Sequence, residues 1–257
     1  MKRIRISEQA TGEVKYVEID LYRKLNLEFL RYTNLTQSEG SYDLSALSCN
    51  TMVYPDYIAL SGQPSLYRKT SQTAVGFWEY DEKFDGIHGL YNAIYHNEKG
   101  LLEQYKRRYA GVRYFFTPDY SLFGDVSPIE NNYRMLKGRV VGIWFATELN
   151  AVVIPFISAA NEYELPLALT GLENCSVVAF STKGYVNNLQ ERKVLERMVR
   201  VTVDELNLRA IVVYDVCATN DAVNEIFSYA RESGVDIIVP LNSLKERNIA
   251  KWEMRHA

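Results

Sequence analysis

Short apolar runs alternate with longer stretches of helical pattern along most of this chain, and that alternation limits its fold more than any other feature. The runs are Val75–Trp78, Val112–Phe116, Val152–Ile157, Val177–Phe180, Ile211–Tyr214 and Ile237–Val239. Each is rich in β-branched or aromatic residues and too short for a helix, so each predicts a strand. Between most of them the apolar spacing is helical: Gly89 to Tyr109, Ile129 to Leu149, Asn187 to Leu206, and Asp221 to Glu232. Asp221 is the expected N-cap of the last helix and Gly234 its stop. The 158–176 link holds Pro166, which limits it to a turn of helix.

Unbroken apolar strands alternating with helices predict an α/β fold whose mainly parallel sheet is buried on both faces. Right-handed crossovers then leave a closed barrel or an open doubly wound sheet. Six strands, with Tyr57–Leu60 and an N-terminal strand, could make eight, which tilts the expectation towards barrel-like closure. Ahead of this core, Arg3–Ile6 and Val14–Ile19 alternate apolar and polar around Ala10–Glu13, which predicts a β-hairpin. Leu21 to Tyr32 has the spacing of a short amphipathic helix. The expected organisation is a single α/β domain over 1–257. Residues 1–70 form an irregular N-terminal appendage and 71–257 the regular βα core.

Bulk properties narrow the function classes. The formal net charge of −3 gives no global attraction to nucleic acid or to an anionic membrane. Cys49, Cys175 and Cys217 are too far apart in sequence for a CxxC metal knuckle, and they read as reduced, buried thiols. The N-terminus has no apolar signal core and no run approaches a membrane span, so a cytoplasmic location is expected. Nucleotide-binding glycine motifs, HExxH and GxSxG are all missing. The 19 tyrosines suit either a wet binding surface or a core that reaches the surface.

In parallel α/β folds, ligands gather at the carboxyl ends of the strands. The residues there include Glu79, Asp81, Thr117, Asp119, Tyr120, Ser121, Ser158, Asn161, Glu162, Ser181, Thr182, Lys183, Asp215 and Asn242. Asp119, Asp81 and Asp215 are the candidate catalytic residues. As oxygen donors they could ligate Mg²⁺ or Mn²⁺, and one of them could be a general base with a raised pKa. N-capping and loop hydrogen bonding account for such acids equally well. Lys183 could form a Schiff base, hold a phosphate, or be a solvated loop lysine. The basic, aromatic stretch from Tyr105 to Tyr109, continuing to Arg113 and Tyr114, could track a nucleic acid or could simply end a helix.

One string carries a family resemblance. Phe116-Thr117-Pro118-Asp119-Tyr120-Ser121-Leu122-Phe123 leads to Asn132-Tyr133-Arg134 and then to Gly142-Ile143-Trp144. Val153-Ile154-Pro155 and Val177–Gly184 follow, and Asp81-Glu82-Lys83-Phe84 lies upstream. These resemble an uncharacterised family, domain of unknown function 4417, over roughly residues 54–240. Where that family often carries Trp-Gly-Asp after its V-I-P strand, this chain has Ile157–Glu162. The resemblance implies a protein of bacteria, phages or mobile elements, and no known activity. By position it marks Asp81, Asp119, Tyr120, Ser121, Asn132, Arg134, Ser181 and Thr182. Arg134 could clamp an anion or pair with Asp119 or Asp125. Two functions are therefore expected. One is a hydrolase or phosphotransfer enzyme with a phosphorylated or nucleotide-like ligand. The other is a non-catalytic protein that binds nucleic acid or a host protein, and homo-oligomers are compatible with both.

Overall fold

A computed structural model describes residues 2–7, 14–19, 32, 35–40, 42–161 and 163–256. The strands β1 (Lys2–Ser7) and β2 (Val14–Ile19) pair antiparallel with Ile4 opposite Val17. This is the hairpin that the alternation predicts. It forms a sheet of its own, so no N-terminal strand completes the parallel sheets, contrary to expectation. The helix expected over Leu21–Tyr32 lies outside the described residues except for Tyr32. A second small antiparallel pair joins β3 (Ser38–Glu39) to β4 (Leu44–Ser45).

The parallel strands begin at Tyr57, inside the segment expected to be an appendage. They are β5 (Tyr57–Leu60), β6 (Thr73–Gly76), β7 (Tyr114–Phe116) and β8 (Val152–Ile154), followed by β9 (Val177–Ser181), β10 (Ala210–Tyr214), β11 (Asp236–Ile238) and β12 (Leu241–Asn242). A five-stranded parallel sheet runs β12-β5-β6-β7-β8, and a three-stranded one runs β11-β10-β9. Every residue of β6, β7, β9 and β10 is buried, as strands covered on both faces must be.

Hydrogen bonding does not join these sheets into a continuous barrel. Between β8 and β9 the pairing reduces to one bridge, Phe156 with Ala179. Segment 236–242 pairs first with β10 and then, beyond Pro240, with β5. Proline lacks the N–H that would carry one ladder through that point. Aromatic packing crosses the gap: Trp78, past the end of β6, stacks on Tyr214 of β10 with centroids 4.5 Å apart and planes 3° apart.

The helices are α1 (Leu90–Tyr95), α2 (Lys99–Tyr109), α3 (Pro128–Glu148), α4 (Leu165–Leu169), α5 (Leu189–Glu205), α6 (Asp221–Ile226), α7 (Ser228–Glu232) and α8 (Ser243–His256). Two expected single helices are each broken in two. Asn97 takes φ 51 between α1 and α2, a left-handed turn that asparagine tolerates. Phe227 separates α6 from α7, fully buried with its ring 6.1 Å from Phe180. Asp221 is the first residue of α6 and not its cap, which is Asn220. The α3 helix starts on Ser127, whose Oγ accepts from Ile129 N, with Pro128 at its first position.

Two glycines let α3 lie against the exit of β7. A Cβ on Gly142 would stand 3.0 Å from Thr117 Cγ2, and one on Gly138 would stand 3.0 Å from the Pro118 carbonyl oxygen. The segment that carries Asp119 is thus held by backbone contact with α3.

Candidate functional site

The three candidate carboxylates meet three different fates. Asp215, at the end of β10, is completely buried. Its Oδ1 accepts from Thr182 Oγ1 at 2.7 Å and from Cys217 N at 3.2 Å, while Oδ2 pairs with Lys245 Nζ. Lys245 also donates to Asn220 Oδ1 at 3.1 Å. Both carboxylate oxygens are thus engaged inside the fold, and the group ties β9, β10 and α8 together. Lys245 was not legible in the sequence because α8 was not foreseen; only its Asn242-Ser243 start is a recognisable cap. Asn242 Oδ1 accepts there from Leu244 N and Lys245 N.

Asp81 serves as an anchor. It accepts from Ser121 N at 3.1 Å and Ser121 Oγ at 3.0 Å, and pairs with Arg134 Nη1 at 3.1 Å. Arg134 also pairs with Glu130 at 3.0 Å and covers the Phe123 ring. The bridge to Asp119 or Asp125 considered from the sequence is therefore made to Asp81 and Glu130 instead.

Asp119 remains uncommitted. It is mostly buried, and its carboxyl accepts no hydrogen bond from any described residue. Burial, together with the negative charge of Asp81, pushes its pKa up to about 7, against the lowering pull of Lys183. Beside it lies a small cavity of about 40 Å³ lined by Thr117, Asp119, Arg134, Arg139 and Ser158 among others. Roughly 10–15 Å³ accommodates one water, so the cavity holds about three waters next to the carboxyl. Tyr185 lies near Ser158 and within electrostatic range of Asp119. Its position after β9 put it outside the strand-exit positions read from the sequence.

The remaining expected ligand residues divide between scaffold and rim. Ser181 and Thr182 are buried; Ser181 Oγ accepts from Lys183 N at 3.0 Å, and Thr182 holds Asp215. Asn132 is buried on α3 with neither side-chain atom partnered, whereas its neighbour Asn131 bonds Phe123 and Glu164. The Tyr120 ring lies 4.0 Å from Lys137 Nζ, which Tyr91, Tyr133 and Asp85 also surround. Lys183 is exposed, and its Nζ donates to Trp78 O at 2.6 Å. The described residues contain no group of three or more His, Cys, Asp or Glu placed to hold a metal ion. A Mg²⁺ or Mn²⁺ site would thus start from Asp119 alone.

The basic stretch is built into the fold. Lys106 pairs with Glu148 at 2.7 Å, Arg108 donates to the Ser61 carbonyl, and Tyr105 and Tyr109 stack at 6.0 Å. All three cysteines are free, and burial pushes Cys49 and Cys217 up to about 11 and Cys175 to about 12. No helix among the described residues is long and apolar enough to cross a membrane.

A family model described as domain of unknown function (DUF4417) matches residues 36–230. No curated protein and no solved structure matches the chain.

Proposed function

We propose a catalytic role for this chain, which belongs to the family described as domain of unknown function (DUF4417). The chemistry is of hydrolase or phosphotransfer type, on a phosphorylated or nucleotide-like ligand at the carboxyl ends of the parallel strands. One observation carries the proposal: Asp119, at such an end, is a carboxyl without a hydrogen bond to any described residue, and its pKa lies near 7. A structural carboxylate is ordinarily paired, as Asp81 and Asp215 are here. A group poised near neutrality can take a proton from an attacking water and return it to a leaving oxygen.

The other residues take supporting roles. Lys183 tunes Asp119 and faces the ligand. Asp81, Ser121 and Arg134 hold the loop that carries Asp119, and Asp215 holds the strand ends in place. In this view the two sheets act as one interrupted barrel, with β8 and β9 at one seam and the Pro240 break at the other. The strand ends then share one rim, where chemistry is found in such folds. A cytoplasmic setting fits the unpaired thiols.

Hydrolysis of simple phosphate monoesters and diesters by the full chain and by Asp119→Asn tests the proposal. The expected result is measurable turnover that the variant loses by 100-fold or more, on the scale of general acid–base catalysis, at unchanged secondary structure. Equal turnover by both proteins, or none by either, contradicts it.

A further inference from the structure

A second opening at the carboxyl ends of the strands contains a set of groups that the fold leaves unsatisfied. It has a volume of about 250 Å³ and is lined by Gln63, Glu79, Lys83, Lys183, Tyr214 and Arg247, together with the first residues of α8. Lys83, Lys183 and Arg247 are exposed, and none of them forms an ion pair with a described residue. Lys183 spends one donor on the Trp78 carbonyl, and Arg247 spends its Nε on the Ser243 carbonyl at 3.2 Å. Their remaining N–H groups bond to no described residue. The single carboxylate in the lining, Glu79, is already engaged: its Oε2 accepts from Ser61 Oγ and Gly62 N, just past β5, both at 2.8 Å. Three cations thus face one anion, an excess of two positive charges.

Tyr214 supplies the observation independent of charge. Its residue is 1 % exposed, it lines this crevice, and its hydroxyl has no hydrogen-bond partner among the described residues. The flat stack on Trp78 fixes the direction of the phenol. The hydroxyl of this otherwise buried ring opens on the crevice and is available to hydrogen-bond a bound ligand. Gln63 donates to Ser243 Oγ at 2.9 Å and so completes the wall. The N-terminal end of the 14-residue helix α8 opens on the same space and adds positive potential, although Asn242 already caps its first N–H groups.

We propose that this crevice binds a phosphate group, free or at the end of a small ester. A phosphate monoester is a dianion, which matches the two excess positive charges. Its oxygens point in several directions, as the donors of Lys83, Lys183, Arg247 and Tyr214 do, whereas a planar carboxylate monoanion would satisfy fewer of them. The volume lies below the roughly 300–1,000 Å³ of drug-sized pockets, so the organic part of an ester must be small or must project outwards. The inference deepens the catalytic proposal and rests on it only for the chemistry: Lys183 lines this crevice and also acts electrostatically on Asp119.

Binding to the full chain is measured by calorimetry with inorganic phosphate, with a small monoester such as phenyl phosphate, and with acetate as the planar control. Phosphate or the monoester is expected to bind and acetate at least tenfold more weakly. A monoester that binds more tightly than inorganic phosphate identifies the esterified source, and the reverse order identifies the free ion. Lys83→Gln and Arg247→Gln, both at exposed positions, should each weaken binding about tenfold, and Tyr214→Phe about three- to tenfold, by loss of one charged or neutral hydrogen bond. No binding, acetate binding equally well, or unchanged affinity in both charge variants overturns the inference. Asp119→Asn separates the two proposals, because it should keep phosphate affinity within about twofold. Phosphate binding that Arg247→Gln removes, in a protein whose Asp119 titrates as an ordinary carboxyl, leaves this site standing and removes the catalytic one. The converse pattern does the opposite.

Discussion

At the scale of single residues, two aspartates at strand ends behave in opposite ways, and sequence alone could not separate them. Asp119 and Asp215 each follow an apolar run, and both are polar exits. Their difference lies in partners that come from remote parts of the chain. Lys245 reaches Asp215 from a helix thirty residues further on, while no described residue donates a hydrogen bond to Asp119. Removing the partner of a buried charge leaves that charge uncompensated. Lys245→Met should therefore cost about 3–5 kcal/mol in urea unfolding, and a loss below about 1 kcal/mol would mean that Asp215 does not need its partner. Asp119 has the opposite signature. Its pKa is about 7 in the fold and near 3.8 as a free side chain. Between those values the folded state holds the extra proton, so the protonation preference supports stability at low pH and is lost as pH rises through 7. Asp119→Asn should therefore be more stable than the parent at pH 8, on the order of 1–3 kcal/mol. At pH 4 the two should be nearly equal. A difference that stays the same across that range contradicts the raised pKa.

At the scale of elements, periodicity revealed most strands and helices but not their interruptions. The strand cores lie within a residue or two of the apolar runs, because burial on both faces leaves no polar position to blur them. Breaks at Asn97 and Phe227 escaped notice because neither residue is a glycine or proline. The α8 helix escaped for another reason: of its residues only Lys245 is buried, so no apolar stripe marks it. Close packing was also invisible. Gly138 reads as a weak point in a helix, yet it is where α3 meets the Pro118 carbonyl, one residue from Asp119. A methyl group there must displace that backbone. Gly138→Ala should lower turnover of any phosphate ester at least tenfold, while its better helix propensity, about 1 kcal/mol over glycine, offsets much of the packing cost. Unchanged turnover in that variant would show that α3 does not set the position of Asp119.

At the scale of the whole molecule, the class of fold was legible and its closure was not. Alternation of runs and helices is enough for a parallel α/β arrangement. Whether strands close on themselves depends on pairings far apart in sequence, such as Leu241 beside Tyr57. Pro155 and Pro240, at the two seams, break the ladders where a regular barrel would continue them. The run Tyr57–Leu60 was legible as a strand, and it is an interior strand of the five-stranded sheet although it lies in the segment that reads as an irregular appendage. Position at the strand ends marked residues of the scaffold, such as Asp215, together with the uncommitted Asp119. Only the three-dimensional arrangement left Asp119 without a hydrogen-bond partner among the described residues. The central claim is that the assembled strand ends bury this carboxyl and hold it near neutrality. The most direct measurement is a site-resolved NMR titration of the carboxyl carbons, with the Asp119 signal assigned by its disappearance in Asp119→Asn. A midpoint near 7 is the result expected, and a midpoint near 4 would contradict the account.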